Sequence, residues 1–156
     1  MPSQLTQDLK KLLDRVDLDF LQSPGWAGLI KQRVREFESS NDSIGVDTET
    51  TGLDPLVNQV RLIQVGTRDY ALIIDLDAWR KEGKRQLDWS QPGLAELKAF
   101  LEGPSRKVLQ NAAFDLNFLR CEGIALGGPL FDTMIAAKIV NNGTGSKNDL
   151  GAIVER

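Results

Sequence analysis

Histidine is absent from the 156 residues, and cysteine occurs once, at Cys121. Without an imidazole the chain has no Ser-His or Cys-His nucleophile pair and no histidine-zinc centre. A lone thiol excludes an intrachain disulfide and a cysteine-built metal site. Chemistry is left to carboxylates, and any metal must be a hard ion on oxygen ligands, which points to Mg²⁺ or Mn²⁺. No apolar run approaches the roughly 18 residues of a membrane span, and Met1 to Lys11 is polar and charged, unlike a secretion signal. The expected location is the cytoplasm, with no membrane partner. A formal net charge of −3 gives no global attraction to nucleic acid. The local basic cluster Arg80, Lys81, Lys84 and Arg85 reads as a solvated loop.

What is present is enough apolar sequence, 41%, for one ordinary core. Leu5, Leu9, Leu12, Val16 and Phe20 recur at helical spacing; Pro24-Gly25 interrupts, and Trp26, Leu29, Ile30, Val34 and Phe37 resume it. This predicts two amphipathic helices, an N-terminal extension over residues 1–40 ahead of a domain over 41–156. Ile44 to Thr48, Val60 to Val65 and Ala71 to Leu76 are short, rich in Val and Ile and bounded by turn residues, so three consecutive strands are expected. Residues 81–91 have no clear period. Leu94, Leu97, Phe100 and Leu101 mark a helix stopped by Gly103-Pro104, Lys107 to Gln110 a strand, and Phe114, Phe118 and Leu119 a helix ending at Gly123. Leu130-Phe131 leads into a helix through Val140; residues 141–147 read as a loop, and Asp149 as the cap of another helix. This order predicts an α/β fold, a mixed β-sheet flanked by helices.

Asp47 and Glu49 lie two apart at the end of a predicted strand, so both side chains leave the same face. Two like charges so placed are costly until a cation lies between them. Taken alone, Asp-x-Glu is equally a strand end entering a polar turn, because Thr48, Thr50, Thr51 and Gly52 all suit turns. Asp115 is a third acid, one turn into a helix that follows a strand directly, where open α/β sheets place ligand chemistry. Its plainer role is a favourable charge near a helix N-terminus. Asn111, at the strand-to-helix junction, can cap that helix or bond a substrate.

The stretches Gly45 to Pro55 (GVDTETTGLDP) and Gln110 to Leu119 (QNAAFDLNFL) resemble the first and second motifs of the DEDD superfamily of 3'→5' exonucleases. The likeness is to the proofreading domain of bacterial DNA polymerase I and to ribonuclease D, and runs from about Ile44 to Arg156. It implies a ribonuclease H-like fold and a catalytic and metal-ligating set of Asp47, Glu49 and Asp115 that holds two divalent ions. By the same resemblance Asp47 bridges both ions, Glu49 serves the ion that activates water, and Asp115 supports the second. The substrate would be the 3' end of single-stranded DNA or RNA, with Thr50, Leu53, Asn111 and Phe114 around the terminal nucleotide and Leu53 wedged against its base. The family's third motif, a Tyr or His shortly before a fourth Asp, has no counterpart here, so the expectation is a catalytically incomplete chain. Asp132 is the best internal substitute for the missing acid, although a helix-capping role is the simpler expectation for it.

Overall fold

The computed structural model describes residues 16–40, 43–82, 84–141 and 149–154. Six strands form one mixed sheet: β1 (Asp17–Leu21), β2 (Ile44–Thr50), β3 (Val60–Gly66), β4 (Tyr70–Asp75), β5 (Lys107–Leu109) and β6 (Leu130–Asp132), in spatial order β1-β4-β3-β2-β5-β6. β2, β3 and β4 make an antiparallel meander, and β1, β5 and β6 join in parallel. The helices are α1 (Ala27–Ser39), α2 (Leu94–Glu102), α3 (Ala112–Cys121), α4 (Thr133–Val140) and α5 (Leu150–Val154). This is the α/β architecture expected from the order of elements. None of the described helices is long and apolar enough to cross a membrane.

The alternation in β2 sorts its residues: Ile44, Val46 and Thr48 are buried, while Gly45, Asp47 and Glu49 are exposed. In β3 the buried set is Val60, Ile63 and Val65, a parity break with a local cause. Register slips by one residue, because Glu49 pairs with Leu62 but Thr50 pairs with Val60, leaving Arg61 unmatched. Such an extra residue bends the strand and re-aims side chains. The buried face joins one core with Ile30, Val34 and Phe37 of α1, Leu94, Leu97, Phe100 and Leu101 of α2, and Phe118 and Leu119 of α3. α1 and α2 meet through stacked rings of Phe37 and Phe100, with centroids 5.7 Å apart, and through Lys31 and Glu96 at 2.8 Å.

One expectation fails at the N-terminus. The helical spacing that begins at Leu5 lies outside the described residues as far as Leu12, but its end, Asp17 to Phe20, is strand β1. The run VDLDFL also alternates apolar with acidic residues, and pairing with β4 selects that period over the helical one. Asp19 fastens it, its Oδ2 accepting from Nε of Arg33 at 3.1 Å and from the hydroxyl of Tyr70. The Arg33 guanidinium lies 4.1 Å from the centroid of the Tyr70 ring. Burial, and then the bond to Asp19, holds the Tyr70 phenol far above its ordinary range. The first described segment is therefore part of the sheet, and α1 lies in the same core as α2.

Lys107 is 0% exposed, yet its Nζ donates to the carbonyls of Gly103 at 2.6 Å and Gly127 at 2.9 Å. The ammonium thereby ties the end of α2 to the loop before β6. That loop needs glycine, since a Cβ at Gly127 would lie 1.9 Å from the Glu102 carbonyl oxygen. Burial pushes the Lys107 ammonium below the usual lysine value of 10.5. Lys107→Met should destabilise by about 1–3 kcal/mol, the cost of unpaired carbonyls. The folded chain holds the lysine proton less tightly than the unfolded one, so the wild-type contribution increases as pH rises from the lowered value toward 10.5. Urea melts of both proteins from neutral pH upward check this: the gap between them should widen.

Candidate active site

β5 pairs with β2 only at Ile44 and Gly45, so beyond Gly45 that edge of β2 is free for another partner. Asp115, one turn into α3, takes it. The Asp115 Oδ1 accepts from the backbone N–H of Thr48 at 3.1 Å and from its hydroxyl at 2.6 Å. Asp115 is only 3% exposed and lies on the buried face of α3 with Ala112, Phe118 and Leu119. A carboxylate in an apolar helical stripe needs such partners. Burial pushes its carboxyl above the ordinary value, the two Thr48 bonds pull it back, and the charge of Asp132 adds to the rise.

Asp47 and Glu49 leave the opposite, exposed face of β2, as the strand period requires. Asp47 faces Gln64 across the β2–β3 ladder, and Gln64 Nε2 donates to its Oδ2 at 3.0 Å. Asp47 keeps contact with solvent, but partial burial of its carboxyl, and then the charges of Asp115 and Glu49, raise it above the usual range. Each of the other two acids thus acts on Asp47. Asp47 and Gln64 also line a cleft of about 400 Å³, together with Thr133 of α4 and Leu150 of α5. All donors here are oxygen, which suits a hard divalent ion. Among the described residues, however, no three acidic or cysteine side chains form a ready-made cage for an ion.

The remaining expected residues surround this point. Asn111 sits before α3 in the left-handed conformation (φ 59°, ψ 51°) and makes no side-chain cap bond, so its expected capping role is not observed. Asp132 caps instead. Its Oδ1 accepts from the N–H groups of Asn111 (3.2 Å), Met134 (2.8 Å) and Ile135 (3.2 Å), and its Oδ2 from Ala112 (2.8 Å). Burial opposes ionisation, but these four donors outweigh it and hold the Asp132 carboxyl below its ordinary value. One carboxylate thus fastens the starts of both α3 and α4. Phe114 is half-buried, its ring centroid 4.9 Å from that of Phe118. Leu53 is 85% exposed, and the Thr50 hydroxyl donates to the Gly52 carbonyl at 2.6 Å. Two orienting residues, Thr48 and Gln64, went unnoticed in the sequence. Gln64 had a signal, since alternation in β3 puts it on the face opposite Ile63 and Val65; Thr48 had none, because its partner is 67 positions away.

A strand carrying two acids, joined to a third by the helix after the adjacent strand, is the arrangement that this α/β fold presents. Residues 29–156 match the family described as 3'-5' exonuclease, and the chain belongs to that family. The match begins within α1, earlier than the Ile44 at which the sequence likeness became visible. The DNA polymerase of Mycobacterium phage L5 is 35% identical over 104 residues, which cover 63% of this chain and 16% of that polymerase. Among solved structures, Escherichia coli RNase D, an exoribonuclease involved in structured RNA processing, is 27% identical with a TM-score of 0.62, over 89% of this chain and 32% of that one. Brucella melitensis NrnC with bound Mg²⁺ shares the fold, at 21% identity and a TM-score of 0.60, over 90% of this chain and 59% of that one. The fold is ribonuclease H-like. The chain spans about a sixth of the length of the phage polymerase it matches.

Removing the Asp47 charge should stabilise the protein. Its folded value is raised, so its favourable contribution is complete below the unfolded value and lost as pH rises through the folded one. Asp47→Asn is expected to melt at a higher temperature than wild type at pH 7, with the gap closing as the pH falls toward the ordinary aspartate value of 3.8. Thermal melts at several pH values in chelator test it; a lower melting temperature for the variant at pH 7 would contradict the assigned electrostatics.

Proposed function

We propose that the chain provides a 3'→5' exonuclease site that hydrolyses nucleotides from the 3' end of single-stranded nucleic acid, with Asp47, Glu49 and Asp115 as its metal-holding catalytic acids. The observation that carries this is the buried Thr48–Asp115 bond, which joins the third acid to the strand bearing the other two. Two divalent ions, Mg²⁺ or Mn²⁺, held by these carboxylates would stabilise the attacking and leaving oxygens of an in-line phosphoryl displacement, chemistry that requires no histidine. In this reading Thr48 orients Asp115 and Gln64 orients Asp47. Thr50, Leu53, Asn111 and Phe114 surround the terminal nucleotide, Leu53 presenting an apolar side chain to its base. Positioning of this kind supplies much of the rate in phosphoryl transfer. DNA is the favoured substrate, because the sequence relatives are DNA polymerases. RNA is the alternative that the likeness to an exoribonuclease supports. The site of action is the cytoplasm.

Turnover by residues 1–156 alone should be weak. Its acids do not form a cage for an ion among the described residues, and Asp132, the candidate fourth acid, is engaged by four backbone donors. The same observation favours a second reading, a module that grips 3' ends without cleaving them.

Two measurements decide between these readings. Mn²⁺ should raise the melting temperature of wild type by mass action and leave Asp47→Ala unchanged; equal responses would remove the metal site from these residues. In a gel assay with 5'-labelled DNA and RNA strands and Mn²⁺, shortening from the 3' end that disappears in Asp115→Ala identifies the enzyme. Binding without shortening, both by this chain and by a version extended through a Tyr-x-x-x-Asp segment, identifies the module.

A further inference from the structure

Two of the four residues in the basic cluster at 80–85 are part of the framework. Arg80 is almost fully buried, and its Nη2 donates to Glu122 Oε1 and to the Val60 carbonyl, both at 2.7 Å. Glu122 Oε1 in turn accepts from the Val60 N–H at 3.0 Å, so the pair closes the start of β3 against the C-terminal end of α3. The other amino group of Arg80 donates to the backbone carbonyl of Arg85. Arg85 then reaches back across the chain. Its Nη2 donates to the carbonyls of Pro55 at 2.7 Å and Asn58 at 2.8 Å, and its Nη1 to that of Leu56. A single guanidinium therefore holds three carbonyls of the loop between β2 and β3, the loop that begins directly after the strand carrying Asp47 and Glu49.

The loop is also closed on itself. Asp54 accepts from Leu56 N through its carboxylate at 2.9 Å and from Val57 N and Asn58 N through its carbonyl at 3.1 and 2.7 Å. Asn58 Oδ1 accepts from Asp54 N at 3.1 Å, and Thr51 N donates to the Gln59 carbonyl at 3.0 Å. This frame holds out three aliphatic side chains, Leu53, Leu56 and Val57, which are 85%, 75% and 73% exposed. Aliphatic groups held in water on a hydrogen-bonded loop offer a surface to an apolar partner, and this loop follows directly on the strand that carries Glu49.

We propose that Arg85 is a positioning residue for substrate: by holding the Pro55, Leu56 and Asn58 carbonyls it fixes Leu53, Leu56 and Val57 as one aliphatic shelf that takes the faces of unpaired bases at a 3' end. The proposal rests on the exonuclease reading and extends it from Leu53 to Leu56, Val57 and the arginine behind them. The relay Glu122–Arg80–Arg85 also ties this shelf to α3, so the base-contacting loop and the helix that bears Asp115 keep one relative position. Every base has an apolar face, so a shelf of this kind binds without regard to sequence.

The experiment uses the full 156-residue chain in chelator, with two fluorescent probes: ten thymidines ending in a 3'-hydroxyl, and the same strand with its last three sugars abasic. Wild type should bind the first more tightly than the second by about tenfold or more, the scale of base contacts. Arg85→Gln should abolish that preference while accelerating amide hydrogen exchange at Val57 and Asn58. Leu56→Ser should reduce the preference without changing exchange. Arg85→Lys, which keeps the charge but offers no planar fork, should follow Arg85→Gln and serves in its place if the glutamine variant does not fold. Wild-type affinity equal for the two strands, or an undiminished preference in either arginine variant with a loosened loop, overturns the shelf and leaves the exonuclease reading standing. Failure of wild type to bind either strand overturns both.

Discussion

The site depends on one buried hydrogen-bonded contact, Thr48 to Asp115. β2 outruns its parallel partner β5, and the edge it exposes must be satisfied by something other than a strand. A carboxylate from α3 does so through both the N–H and the hydroxyl of one residue. The same contact satisfies the carboxylate, which would otherwise be an unpaired charge in the core. Because Thr48 lies between Asp47 and Glu49, the bond also brings the third acid beside the other two, and Asp47 responds to both charges. Fold and site thus share a single interaction, so a change that damages one damages the other.

Around that contact the structure uses charged groups as fasteners more than as surface. Asp132 ends four backbone N–H groups at two helix starts, and so sets the angle at which α3 leaves β5 and presents Asp115. Lys107 ties the end of α2 to the loop before β6. Arg80 and Glu122 close the start of β3. In each case the charge meets backbone groups that no strand or helix partner satisfies, which is where a charge-assisted bond is worth most. A cluster of basic residues in sequence therefore need not be a nucleic-acid patch. The Arg80 guanidinium is buried against the Val60 carbonyl and Glu122, and that of Arg85, at the surface, is engaged by loop carbonyls.

The elements read most readily from sequence were those whose period is set locally. The meander from β2 to β4 shows alternation of Val and Ile with polar residues, and α1, α2 and α3 show stripes at three and four residues; these appeared within a residue or two of their expected limits. The segment from Asp17 to Leu21 fits both periods, and local propensity cannot choose between them. Pairing with β4, together with the Asp19 contacts to Arg33 and Tyr70, makes it a strand. The unmatched Arg61 is likewise invisible beforehand, because a register slip is a relation between two strands.

By itself the sequence excluded imidazole chemistry and a disulfide, since it contains no histidine and one cysteine, and determined that Asp47 and Glu49 share a face, since the side-chain period of a strand is two. It also carried the two motifs by which the chain is similar to 3'→5' exonucleases. Only the tertiary structure decided what orients those acids, which of the other carboxylates is a cap, and which arginines hold the loop beside the site. Those assignments join residues 67, 21 and 29 positions apart. Contacts at that range depend on how the sheet and helices close on one another, and no local period records them.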